Sequence, residues 1–217
     1  MTKTKKLATS AVLVALATAL ALVSMVIPLQ LPFGGSVTLA SMLPIAVIAY
    51  MFGIKWGLGS AFVFSVIQIL LGGKTVAAFF MPGDSQMVWF KAVIVCFIDY
   101  ILAYTVIGFS GIFAKKIKSA PVALCAGSAV AVTLRYVCHI ISGAIFFGTW
   151  AEGFFAEWGP FVGTAFGNWV INNISGTSLA WFYSVVYNGL YMIPEIILTS
   201  VGGFIVAKVL KKYIVAE

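Results

Sequence analysis

Arg135 and His139 stand one helical turn apart in the run 134–148, which is otherwise apolar enough to cross a bilayer. An ionisable side chain at mid-membrane costs about 2.5–3.5 kcal/mol, so by default it marks a site. Asp99 lies in a second apolar run and Asn188 in a third. At 1.5 Å per helical residue, Asp99 falls about 16 Å from the outer end of its run, Arg135 about 18 Å, His139 about 12 Å and Asn188 about 13 Å. Three helices therefore deliver polar groups to one level in the outer half of the membrane. Tyr183 lies nearer the outer surface, and Tyr100, Tyr104, Tyr136, Tyr187 and Tyr191 add ring faces close by. Two arrangements fit. Asp99 pairs with Arg135 as an internal brace, with Glu195 competing from deeper in its helix; or the residues line a pocket open to the outside. In a pocket, a desolvated carboxylate among aromatic faces favours a cationic, planar ligand.

Other chemistries fit less well. Gly73-Lys74-Thr75 looks like the end of a phosphate-binding loop, but Gln68 stands where the first glycine belongs and the segment follows an apolar span, not a strand. The chain thus carries no nucleotide engine of its own. Cys138 and His139 are adjacent and point about 100° apart on a helix, which rules out a direct nucleophile–base pair. No sharp glycine-framed serine turn supports Ser142 or Ser184 as a nucleophile, so enzymatic chemistry is not expected. Cys96, Cys125 and Cys138 lie in apolar runs without metal-ligand spacing and read as small packing residues. Neither a metal nor a cofactor is expected.

The elements that must position these groups follow from composition. The 217 residues are 62% hydrophobic and 9% charged, with a mean hydropathy of +1.11, which excludes an ordinary soluble domain. The expected fold is an all-α integral membrane bundle, a single domain over 1–217, with six spans at 7–27, 37–52, 56–71, 88–114, 121–147 and 179–209. The first apolar run is longer than a signal-peptide core and reads as a span. With the N-terminus cytoplasmic, ten basic residues fall inside, from Lys3, Lys5 and Lys6 through Lys55, Lys115, Lys116 and Lys118 to Lys208, Lys211 and Lys212. Both termini are then cytoplasmic. This clustering accounts for the net charge of +7 through contact with the lipid bilayer, and no nucleic acid is expected as a partner. Residues 149–178 form an outer insertion with Trp150, Trp158 and Trp169, and with Gly159, Gly163 and Gly167 at four-residue spacing. It reads as an interfacial loop with a short helix, or else a re-entrant or partner-binding segment. Ala11, Ala15 and Ala19 make a small-residue stripe on the first helix, suited to packing within the bundle or to docking another membrane subunit.

Four runs carry a family resemblance: Gly34-Gly35-Ser36-Val37, the run 97–103 around Asp99-Tyr100, the run 135–148, and the run 181–188 ending in Asn188. With these, nearly the whole chain resembles the thiamine-specific substrate-binding (S) components of energy-coupling factor transporters. The resemblance implies a bacterial, multi-pass cytoplasmic-membrane protein that captures thiamine outside the cell. It also implies docking on a transmembrane coupling subunit driven by two ATP-binding subunits, with Ala11, Ala15 and Ala19 at that contact. The family's binding acid, normally glutamate, falls on Asp99, and its tyrosine on Tyr100. The histidine falls on His139, the glycine on Gly143, and the last-helix pair on Tyr183 and Asn188. Phe147 stands where some members stack the ligand on tryptophan. The outer loop 28–36, a lid in relatives, holds Phe33 as its only aromatic residue, and the stretch around 152–175 is an insertion. Competing readings are an S component for a thiamine precursor or another vitamin, a stand-alone secondary transporter, and a purely structural membrane subunit. No inverted repeat with paired broken helices favours the secondary transporter.

Overall fold

The computed structural model describes residues 1–27, 31, 35–157, 163–210 and 212–215, and among these the regular structure is helical. The elements are α1 (Lys3–Val26), α2 (Leu43–Phe52), α3 (Ile54–Leu71), α4 (Gly73–Phe80), α5 (Trp89–Gly111), α6 (Ala120–Phe146), α7 (Ala151–Glu157), α8 (Thr164–Asn173) and α9 (Gly176–Val209). Five of them, α1, α3, α5, α6 and α9, are long and apolar enough to cross a membrane. Within their most apolar stretches only 22–39% of residues are buried inside the protein. The remaining apolar side chains face outward, which suits a hydrocarbon solvent and no other.

Local chemistry sets the boundaries. Thr2 caps α1 by accepting the Lys5 N–H at 3.3 Å. Pro44 and Pro121 sit in the first turns of α2 and α6, where a missing N–H costs nothing. Gly53, at φ 85°, makes the tight turn between α2 and α3, a conformation that few side chains tolerate. Across that hairpin a Cβ on Gly57 would lie 2.5 Å from the Ala49 Cβ, and where α5 packs on α3 a Cβ on Gly108 would lie 2.4 Å from the Leu58 N. Backbones meet there as they do in lipid, where close contact replaces the hydrophobic drive. α6 and α9 pack along much of their length and form the frame of the site.

The second span differs from its expected bounds. A helix from residue 37 was expected; α2 begins at Leu43. Upstream, the Thr38 N–H is taken by a Glu195 carboxylate oxygen and the Leu39 N–H by Ser24 Oγ at 2.8 Å. Ala40, at φ 52°, then takes a left-handed backbone that a right-handed helix running on from 37 cannot contain. At ten residues, α2 spans about 15 Å, half a hydrocarbon core. The region 72–87, read as a connection, contains α4. Among the described residues the insertion 149–178 contains α7 and α8 where one short helix was expected; Trp158 and Gly159 lie outside the described residues, as do Phe33, most of the 28–36 loop and Lys211.

Candidate functional site

α5 changes its winding where the site needs it. Trp89–Cys96 is α-helical, Phe97–Leu102 is π-helical, and Val106–Gly111 is a 3-10 stretch. Single π-turns inside α-helices are frequent at functional sites. This one carries Asp99 and Tyr100, and both line a cavity of about 550 Å³. A Cβ on Gly72 would meet the Tyr100 ring at 2.8 Å, so that ring seats against the junction of α3 and α4.

Beside Asp99, α6 presents His139 and Ser142, one turn apart. His139 Nδ1 lies 3.0 Å from Asp99 Oδ1, and Ser142 Oγ donates to Asp99 Oδ2 at 2.8 Å. Asp99 is therefore not locked against Arg135. Arg135 Nη2 donates to the Tyr104 hydroxyl and Nη1 to Met42 Sδ, each at 3.0 Å, and the guanidinium carbon sits 4.2 Å from the Tyr104 ring centroid. With Nδ1 donating to the carboxylate, a neutral His139 offers Nε2 as an acceptor. That atom is buried and without a partner, a condition that calls for a donor.

α9, packed against α6, supplies a further wall as a column of rings: Tyr183, Tyr187 and Tyr191 recur every four residues, with Asn188 among them. The Tyr191 hydroxyl donates to Asn188 Oδ1 at 2.5 Å, while Asn188 Nδ2 reaches Ser184 O at 2.8 Å, Ser184 Oγ at 3.0 Å and the His139 carbonyl at 3.2 Å. The Asn188 amide thus fixes α9 to α6 as well as lining the cavity. Tyr187 Oη accepts the Gly35 N–H at 2.9 Å, tying the end of the outer loop to the same wall. Nearer the surface, Phe147 lies 6.0 Å from Phe79 and 5.5 Å from Trp150, centroid to centroid.

The structure brings Asp99, Tyr100, His139, Gly143, Phe147, Tyr183 and Asn188 to this one cavity. Gln68, Lys74, Phe79 and Trp150 also line it; the sequence drew attention to Gln68, Lys74 and Trp150 for other reasons and assigned none of the four to the site. Trp150, three residues beyond Phe147, was the findable one, since its indole returns to the Phe147 wall. Ala11, Ala15 and Ala19 lie elsewhere: with Leu7, Val14 and Leu22 of α1 and Ser60, Val63 and Ile67 of α3 they line a second, apolar groove of about 560 Å³. Among the described residues no group of three His, Cys, Asp or Glu side chains is placed to hold a metal ion.

Residues 7–158 match the model of the family described as thiamine transporter protein (Thia_YuaJ); the match stops short of Tyr183 and Asn188. The thiamine transporter ThiT of Bacillus subtilis (strain 168) is 32% identical over 182 residues, covering 80% of this chain and 75% of that protein. The solved structure of ThiT from Listeria monocytogenes is similar at a TM-score of 0.66 and 22% identity, over 98% of each chain. That last likeness concerns the fold.

Proposed function

The chain belongs to the thiamine transporter protein family, and on that premise we propose that it captures thiamine in the Asp99 cavity as the substrate-binding subunit of an energy-coupling factor importer. The observation that carries this reading is one cavity with a carboxylate, an unpartnered imidazole nitrogen and a wall of aromatic rings, all supplied by membrane helices. Thiamine is a cation with an amino-bearing pyrimidine ring. Asp99 supplies the charge that a desolvated cation needs. His139 Nε2 accepts from an amino group, and Tyr100, Phe147 and Tyr183 give ring faces. Gly143 leaves room where α6 and α9 meet, and Asn188 holds the two helices in register.

The rest of the proposal concerns transport. The protein sits in the bacterial cytoplasmic membrane with six spans, counting the short α2, and with both ends inside, as the lysine bias favours. It crosses no energy barrier by itself: the transmembrane coupling subunit docks in the groove of Ala11, Ala15 and Ala19, where small residues permit close helix approach, and two ATP-binding subunits supply the work. The deciding experiment is a thiamine titration of the purified protein, read by tryptophan fluorescence, with Asp99→Asn alongside. Saturable quenching in the native protein and binding at least tenfold weaker in the variant are expected. No saturable change, or equal binding by both, refutes the reading.

A further inference from the structure

Glu195 is fully buried, yet it lies outside the cavity wall, just behind Thr38, Arg135 and Tyr191. One carboxylate oxygen accepts the Thr38 N–H, and the other, Oε2, is buried without a partner. Arg135 interacts with it electrostatically, but the Arg135 hydrogen bonds go to Tyr104 and Met42. Arg135 lines the cavity, and its Nε is buried and also unpartnered. The site that must attract a cation therefore carries a cation in its own wall. With His139 neutral, Asp99 and Arg135 together contribute no net charge. An ionised Glu195 makes the buried set negative by one. Lys74 stands exposed at the rim, where water and salt screen it.

We infer that Glu195 is a specificity-determining positioning residue: its charge cancels that of Arg135, so that the cavity discriminates in favour of a cationic ligand over a neutral one of the same shape. The inference rests on the thiamine reading of the cavity and adds a residue that touches no ligand atom. Its action is through the field, which a buried charge projects strongly because little water intervenes. A purely structural role for Glu195, as the anchor of Thr38, makes a different forecast, because loosening the 35–41 segment weakens every ligand alike.

The test compares thiamine with its uncharged isostere, in which a thiophene replaces the thiazolium ring, on purified native protein and on Glu195→Gln. Glutamine keeps an acceptor for the Thr38 N–H and removes the charge. Taking a separation of about 10 Å and an effective dielectric of about 20, Coulomb's law gives roughly a ten- to twentyfold loss of thiamine affinity, with isostere affinity held within twofold. Glu195→Asp, which keeps the charge but shortens the reach, preserves the thiamine-to-isostere ratio. Arg135→Gln moves that ratio in thiamine's favour, and Arg135→Gln with Glu195→Gln, which removes both charges, returns it to the native value and carries the test should Glu195→Gln alone not fold. Equal losses for both ligands in Glu195→Gln, no loss for either, or a ratio unmoved by Arg135→Gln overturns the inference. Native protein that binds neither compound overturns the thiamine reading instead.

Discussion

Gly143 is where the fold and the site constrain each other most tightly, and Gly143→Ala exposes that. A Cβ at this position would lie 2.3 Å from Ser184 Oγ, 2.9 Å from Asn188 Nδ2 and 3.2 Å from Ser184 Cβ. Ser184 is fully buried, and its hydroxyl donates to the Ile140 carbonyl at 2.7 Å while receiving the Asn188 amide at 3.0 Å. It has no solvent to swing into. Either α6 and α9 separate by about an ångström, or the Ser184–Asn188 pair gives up its partners. Overpacking of this kind costs about 1–3 kcal/mol, and a displaced buried hydrogen bond about 1 kcal/mol more. Because Asn188 also holds the His139 carbonyl, the same displacement shifts the cavity, and a loss in thiamine affinity of at least tenfold, about 1.4 kcal/mol, is expected. The assays are thermal unfolding in detergent and thiamine titration. Adding Ser184→Ala removes the 2.3 Å contact, so the double variant recovers much of both losses and is better than the sum of the singles. A Gly143→Ala protein within about 0.5 kcal/mol of native stability and with native affinity refutes the reasoning, as does a double variant no better than additive.

Two further outcomes separate the site from its surroundings. Ala15→Trp fills the α1–α3 groove; thiamine binding by the isolated protein stays unchanged, whereas ATP-driven uptake in vesicles with the coupling and ATP-binding subunits falls at least tenfold. Phe154, 2% exposed, lies 5.3 Å from the Tyr183 ring and 5.6 Å from Tyr187. Phe154→Ala therefore costs about 3–5 kcal/mol and weakens thiamine binding by loosening the tyrosine wall, while Trp169→Ala, at an exposed position, moves unfolding by no more than about 0.5 kcal/mol; equal effects of the two substitutions would contradict this role for the insertion.

The polar residues of the site were readable because lipid makes them conspicuous: Asp99, His139 and Asn188 each interrupt an apolar run, and helical rise alone puts them at one depth. Their partners were not readable. Asp99 and Arg135 are the obvious opposite charges, but Arg135 projects one turn below His139 and is taken by Tyr104 and Met42. Asp99 instead meets the His139–Ser142 turn. Nothing along the chain announces that Ala40 takes a left-handed backbone while Glu195 and Ser24 hold Thr38 and Leu39, and α2 therefore starts six residues late. α4, eight residues long, is too short for periodicity to reveal. The insertion was legible as aromatic. Its function as backing for the α9 tyrosines came only with the rings in place.

The π-turn of α5 explains how one helix offers two adjacent residues to a single cavity. In an α-helix, neighbours point about 100° apart, so a cavity that receives Asp99 would leave Tyr100 at its edge. Winding Phe97–Leu102 with i→i+5 bonds, as in the Ala103 N–H to the Ile98 carbonyl, widens the turn and narrows that angle. Tyr100 can then seat against Gly72 while Asp99 reaches His139 and Ser142. The less favourable winding is tolerated because the flanking α5 segments are gripped by neighbours: Gly108 lies against the Leu58 backbone, and the Ser110 carbonyl fits into the space left by Gly127 of α6. Close glycine contacts far from the cavity thus hold the wide turn that makes the cavity's acid and its tyrosine face the same way.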